Sequence, residues 1–556
     1  MMRNNHKPPR LRCTAYPWLA ALLVGVCAPL RATAPAIFFS DLESGPNTGG
    51  QDNGGAFVTI YGKNFGTAQG DSNVTVGGGS VAGYALWTDE RITVQLGRAS
   101  ATGSIVVRTA AGSSNGVPFT VRPGGIHFVA VNGHDFGPGT FHSPWRTLVK
   151  ACGAMRPGDI TYAMNGTEQT GDNGSGWRTS VLIRGEPASD LPRAVVAYPN
   201  AVAAIGGASG PDFGIRAAPL DGVPVGAWVF AGLRLRGRGL AVGAEHITNW
   251  RIVGNDISCP QGDGSAACVE TAYASGVAFL GNHVHDTGWT GASAMYHAVY
   301  FSTDSNHIDV GWNVIDNVHG CRGIQFHSTR QEGDPKSGYN QFDIAIHDNE
   351  IHDTQCDGIV LATVDPSRGK VEVYNNVIYD AGKGPDNPDH SGNWSCIYVA
   401  GYTNNGSPGG GAVDIFNNTL YNCGNFSHPP FGDANAAISN GGHNPALRIR
   451  VRNNILYQAP GVPYFIAFEA RGTCRDNGRC EGIYGSGNVV FGHRPPPDFP
   501  GLTGSRFADP LFVNLSGRDF HLAAGSPARG AGASPVHDKS GADRAGEAGN
   551  GIGAFR

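Results

Sequence analysis

Two rhythms of apolar and polar residues divide the chain. Over residues 35–122, short runs such as "FVTIYG", "SNVTVGG", "RITVQL", "GSIVVRT" and "VPFTV" alternate apolar and polar positions between Gly, Asn and Asp turns. A period of two broken by frequent turns predicts half-buried strands in a small antiparallel sandwich. Further along, alternation returns inside a frame that repeats. The stretch "HGCRGIQFHSTR", His319 to Arg330, comes back 35 residues later as "TQCDGIVLATVD", which keeps Cys-x-Gly-Ile-x-apolar while Gln325 and His327 give way to Val360 and Ala362.

An asparagine two places ahead of an apolar residue marks the same region: Asn255/Ile257, Asn282/Val284, Asn313/Ile315, Asn349/Ile351, Asn376/Ile378, Asn418/Leu420, Asn454/Leu456 and Asn488/Val490, at separations of 27 to 42 residues. A constant motif at variable spacing describes one coil of fixed cross-section interrupted by loops of different length. That is a parallel β-solenoid, in which each coil buries its face only against its neighbours. Asparagine suits a sharp bend because it tolerates the left-handed conformation, and stacked amides can hydrogen-bond along the column. These asparagines are therefore expected to be structural.

The repeat also fixes a register. Val299, Ile324, Ile359 and Ile397 align, with Phe301, Phe326, Leu361 and Val399 two residues on; alternation turns both sets inward. The outward columns are then Glu270, Tyr300, Gln325, Val360 and Tyr398, and beside them Ser302, His327, Ala362 and Ala400. His297, Arg322 and Asp357 flank this strand at the bend before it, and Asp304, Arg330 and Asp365 beyond it. Cys321 and Cys356 hold the same place in consecutive coils, and a strand spacing of about 4.8 Å lies within the range a disulfide spans.

With 83 glycines, 35 prolines and 15% charged residues, the composition fits turn-rich β structure rather than a helix bundle or a disordered chain. Arg3, Lys7, Arg10 and Arg12 precede the apolar run "WLAALLVGVCAPL" and a small-residue "ATA", so residues 1–34 read as a signal peptide and the protein as secreted, extracellular or periplasmic. No later run reaches transmembrane length. Removing that segment takes five basic residues and leaves 35 against 45 acidic ones, a net charge of −10. Nucleic acid is excluded as a partner, since binding it needs clustered positive charge, and a monomer is expected. Nine cysteines remain. Cys259 with Cys268 and Cys474 with Cys480 read as closures of small loops, and the odd thiol is assigned to Cys152.

The segment "FVTIYGKNFGT" with "NVTVGG" and "GVPFTV" resembles the immunoglobulin-like IPT/TIG family, which implies an accessory module without catalytic residues. "HFVAVNGHDFGPGTFHSPWRTLVKACGAMRPGDITYAMNGTEQT" resembles the leading segment of secreted right-handed parallel β-helix proteins. There Ser143 would cap a helix with Pro144 at its first position, and Trp145, Leu148, Val149 and Met155 would form the face that plugs the solenoid. His134 and Asp135 are turn residues of that plug. "FADPLFVNLSGRDFHLAAGSPARGAG" and the final "GIGAFR" resemble the terminal segment of the same proteins. The expected fold is all-β: a sandwich over 35–122, a right-handed parallel β-helix over 123–500 and a closing segment over 501–556. From Ile126 onward the chain resembles pectate lyases and related polysaccharide lyases. The resemblance implies a polysaccharide partner but supplies no catalytic motif residue by residue, so the activity it implies rests on the fold alone.

A sheet face carrying Tyr, His, Arg and Asp suits an extended sugar chain, with aromatic rings under the sugars and charges on hydroxyls or uronate carboxylates. Tyr300, Gln325, Tyr398, Trp394 and His297 are the expected substrate contacts. A lyase must neutralise a uronate carboxylate, take the neighbouring proton and protonate the leaving oxygen. Arg322, Arg330 or calcium serves the first need, His327 or Lys383 the second, and Tyr300 or Tyr398 the third. The loop "GKGPDNPDHSGNW" offers Asp386 and Asp389, which with Asp357 would give hard oxygen ligands for calcium. A hydrolase instead needs two carboxyls about 5 to 5.5 Å or about 6.5 to 9.5 Å apart. Glu270 and Asp357, three coils apart, stand at roughly 14 Å; Asp304 and Asp365, at roughly 10 Å, are marginal. Elimination therefore leads, with glycoside hydrolysis and non-catalytic glycan binding as alternatives.

Overall fold

The computed structural model describes residues 33–186, 189–328, 341–384, 394–401, 411–424, 435–441, 444, 446–467, 482–492, 502–532 and 551–555. Residues 1–32 of the expected signal peptide 1–34, Arg330, Asp386, Asp389, Cys474 and Cys480 lie outside the described residues.

The asparagines of the repeat form one continuous ladder. Oδ1 of Asn349 accepts from both the main-chain N–H and Nδ2 of Asn313, and Asn349 donates in the same way to Asn376. The pattern runs unbroken from Asn255 to Asn488. All eight are buried. The left-handed bend expected on these residues lies one position earlier, on Gly254, Gly281, Trp312, Asp348, Asn375, Asn417, Asn453 and Gly487. Mostly Gly, Asn and Asp, these are the residues that tolerate positive φ. The bend turns the chain, and the asparagine after it points inward to fasten one coil to the next.

Among the described residues, parallel sheets of thirteen, twelve and ten strands run along the solenoid, enclosing one long core of Val, Ile, Leu and Phe. This is the parallel β-helix preceded by an immunoglobulin-like sandwich that the repeat predicts. The plug helix is Leu148–Ala154, and its cap is Thr147 rather than Ser143. The chain is still extended at Trp145, which bridges to Val129, so the helix starts late. Thr147 Oγ1 accepts from Lys150 N at 3.1 Å and donates to Asp135, which also accepts from the Arg146 and Thr147 amides. Leu148, Ala151 and Cys152 face the core, whereas Val149, expected there, is 38% exposed.

The sandwich is built into the solenoid. Phe39, Val58 and Phe119 share a buried cluster with Phe128, Tyr162, Val229 and Leu280 of the thirteen-stranded sheet, and Tyr162 donates to the Phe57 carbonyl at 2.8 Å. Three corners meet its aromatic rings. Two are glycine, where a Cβ at 281 would stand 2.5 Å from the Phe39 ring and one at 254 would stand 2.3 Å from the Tyr61 hydroxyl; the third is Trp312, stacked on Phe38. At the other end, Leu502–Thr503 and Arg506–Phe507 extend two of the sheets. The closing segment does more than cover that end, because it also folds back along the flank, with Phe520 against Tyr379 and Tyr421 and Ala554 N donating to Thr419 Oγ1.

The disulfides Cys259–Cys268 and Cys321–Cys356 form as expected, Cys396–Cys423 was not anticipated, and Cys152 is free and buried. No helix among the described residues is long and apolar enough to cross a membrane.

On the flank, buried His347 bonds Asp309 at 2.7 Å and Asp348 at 2.8 Å and stacks on Tyr374. Burial pulls its pKa down, but the two carboxylates outweigh that and hold it up at about 9. A raised folded-state pKa gives stability that is complete below the ordinary imidazole value and lost as pH rises through the folded one. The melting temperature should therefore fall from about pH 7 to about pH 10, and His347→Gln should flatten that slope; an unchanged slope would remove His347 as its source.

Candidate active site

The ten-stranded sheet carries the outward columns in the expected register. Glu270, Tyr300, Gln325, Val360 and Tyr398 are successive partners on neighbouring strands, and Ser302 pairs with His327. Their exposure departs from expectation. Gln325, Val360 and Tyr398 are only 5%, 2% and 4% accessible, and the last two pack with Ala362 and Ala400 in an apolar patch. Glu270, Tyr300, Arg322 and His327 remain partly open.

Around Tyr300 these side chains make a compact polar cluster. The Tyr300 hydroxyl lies 3.2 Å from His327 Nδ1. Arg322 donates to Gln325 Oε1 at 2.8 Å, and its Nε stands 3.8 Å from Asp357 Oδ2. Asp357 Oδ1 accepts from the Ser395 amide at 2.9 Å. The buried ring of His297 meets Tyr300 edge-on, 5.7 Å between centroids. Three buried atoms here, His297 Nδ1, Arg322 Nε and Asp357 Oδ2, have no hydrogen-bond partner among the described residues. Each such atom costs roughly 1–3 kcal/mol, and two of them, Arg322 Nε and Asp357 Oδ2, face each other across the 3.8 Å gap.

Electrostatics sorts the roles. Burial, then the Arg322 charge, lowers the pKa of His327, so its imidazole is neutral near pH 7. Burial, Arg322 and His327 hold His297 well below the ordinary value. Burial raises the Asp357 carboxyl to about 8 against the opposing pull of Arg322 and the Ser395 amide. A carboxyl protonated near neutrality leaves the Arg322 charge without a counter-charge there.

Several expected roles are corrected by this placement. Trp394 is no sugar platform, being buried with Cys321, Cys356 and Ala294. Tyr398 and His297 are buried and do not contact substrate directly; His297 instead backs Tyr300. Gln325, almost fully covered, acts by holding Arg322. Lys383 is paired with Asp353 and is therefore not free as a base. Asp357 faces a guanidinium and an amide; its expected calcium partners Asp386 and Asp389 lie outside the described residues, and among the described residues no group of three His, Cys, Asp or Glu side chains could hold a metal ion. Asp365 Oδ1 accepts from the amide and hydroxyl of Ser367.

Sequence reasoning missed the neighbours of Glu270. Arg216, two strands away in the same column, bonds Glu245 at 2.6 Å. Burial, then Glu245, raises Glu270 to about 7, with Arg216 opposing. The preceding coils lack the Cys-x-Gly-Ile frame, so nothing in the sequence aligned them. A cavity of about 520 Å³ lies elsewhere, between sandwich, solenoid corner and closing segment, and none of the cluster residues lines it.

The N-terminal sandwich, with one antiparallel sheet, one mixed sheet and a shared core, matches a known domain. Residues 44–121 form an IPT/TIG domain. No curated protein is significantly similar to the chain. Solved structures similar to it include pectate lyase Pel9A, 15% identical over 78% of this chain and 96% of that one with a TM-score of 0.43. A GH136 lacto-N-biosidase from Eubacterium ramulus is 13% identical over 68% and 67% with a TM-score of 0.38. A family 28 exopolygalacturonase from Yersinia enterocolitica is 11% identical over 86% and 97% with a TM-score of 0.35. These likenesses do not assign an activity to the face behind which the IPT/TIG domain is docked.

Proposed function

We propose that the protein is an exported polysaccharide lyase that cleaves uronate-containing glycans by β-elimination at the Tyr300–His327–Arg322 cluster. The observation that carries this reading is a neutral, partly open histidine in hydrogen-bond contact with a phenol and beside a guanidinium whose carboxyl neighbour is protonated near pH 7. Those are the three needs of elimination. Arg322 offsets the uronate carboxylate and so acidifies the adjacent C–H. His327 takes that proton through Nε2, the C–H electron pair becomes the new double bond, and the C–O bond breaks toward an oxygen protonated by Tyr300. The Nδ1 proton of His327 then passes to the Tyr300 oxygen across the 3.2 Å contact, which restores the phenol and leaves the substrate proton on Nε2; exchange with solvent returns the imidazole to its starting tautomer. Three disulfides among the described residues fit a protein that matures in an oxidising compartment.

Glu270 favours a second reading. A carboxyl raised to about 7 beside a second carboxylate is the arrangement of an acid for glycoside hydrolysis. Product chemistry separates the two. Elimination gives an unsaturated, ultraviolet-absorbing sugar end and no uptake of solvent oxygen, whereas saturated ends labelled from heavy-oxygen water would assign the site to hydrolysis.

A further inference from the structure

We propose that Trp177, Arg184 and Arg216 form an acidic-sugar subsite on the same face, remote from the cleavage cluster, that sets the polymer across the coils. The inference rests on the glycan reading above but not on which bond is broken. Leu182, Arg216, Gly243, Glu270 and Tyr300 are consecutive partners in a single outward column, and Arg184 stands two residues beyond Leu182, on the same side of its strand. The subsite therefore lies in the same column as Tyr300, with the Phe213 ring covering Gly243 between them. Four strand steps separate the two, roughly 19 Å at the usual spacing, a distance bridged by several sugar units laid perpendicular to the strands.

The chemistry of the patch differs from that of its surroundings. Trp177 is 39% exposed at the end of a Gly-rich loop. The guanidinium carbons of Arg184 and Arg216 lie 4.9 Å and 5.5 Å from its ring centre. Both arginines project from the outer face of the sheet, and the indole they reach stays partly open to solvent. Arg216 is matched by Glu245, while Arg184 makes no ion pair among the described residues. An open indole face takes the apolar side of a sugar ring. A guanidinium without a counter-charge takes a carboxylate through two parallel N–H donors, which a lysine ammonium does not reproduce. Together they select a uronate over a neutral sugar.

The test uses the full chain and three polymers as probes: polygalacturonate and alginate as acidic glycans, and xylan as a neutral one. In affinity electrophoresis, Trp177→Ala and Arg184→Ala should each weaken retention by an acidic polymer by about tenfold, the scale of one charge-assisted contact, with Arg184→Lys in between. On whichever acidic polymer is cleaved, the same variants should raise KM and leave kcat unchanged, the signature of binding shared by ground and transition states. His327→Ala should be retained like the unmodified protein. The subsite is overturned if the unmodified chain is held by neither acidic polymer, if both alanine variants are retained normally, or if xylan retention falls equally. Saturated products with a persisting retention defect would sink the elimination reading and leave the subsite standing.

Discussion

His327→Ala should lower kcat/KM on a uronate polymer by about 100-fold or more, the usual worth of a positioned general base, while the melting temperature stays within about 2 °C of the parent. The contrast follows from where the ring sits. Its strand buries Ile324 and Phe326 inward, so the imidazole contributes little to the core. The pH profile offers a stricter readout. Because burial and the Arg322 charge lower the pKa of this imidazole, it stays unprotonated below the ordinary value of about 6.5, and the acid limb of kcat/KM should lie below that pH. Arg322→Gln removes one of those causes and should move the limb upward as well as raise KM. Full activity in His327→Ala on a cleaved polymer would take this residue out of the mechanism, and a large drop in melting temperature would make it structural.

The largest expected loss of stability belongs to the ladder. In Asn349→Ala, the amide and Nδ2 of Asn313 lose their acceptor, and the Val310 carbonyl and Asn376 Oδ1 lose a donor, all in a fully buried corner. With each orphaned group costing roughly 1–3 kcal/mol and some relaxation between them, a loss of about 4 kcal/mol is expected. Coils of a solenoid touch only their neighbours, so the damage should begin locally: hydrogen exchange should speed up first in strands Ile344–His347 and Val371–Tyr374 and their immediate neighbours. Asn349→Asp, which keeps the acceptor and loses the donors, should fall between parent and alanine. Uniform acceleration along the whole chain would contradict the local picture.

These two residues also mark what the sequence could reveal. The ladder was legible because eight asparagines keep one offset to an apolar residue whatever loop intervenes, and the Glu270–Tyr398 column followed because strand alternation leaves only two faces. Alternation gives direction and says nothing of cover. It placed Tyr398 and Trp394 on the working strand, but their burial depends on packing between distant parts of the chain, and no periodicity encodes that. The left-handed corner was readable in principle, since the residue before each ladder asparagine is Gly, Asn or Asp in every coil except that of Trp312. Trp177 and Arg184 were not, because their coils precede the repeated frame and their meeting is a matter of register.

The Cys321–Cys356 bond joins consecutive coils at the residues immediately before Arg322 and Asp357. The covalent tie staples the two turns at the point where guanidinium and carboxyl face each other. Backbone pairing already holds that point, since the Cys356 amide donates to the Cys321 carbonyl at 2.9 Å. Coiling with free thiols therefore provides the spacing, and oxidation afterwards locks it. A chain kept reduced should lose heat resistance before it loses the charge balance of the cluster.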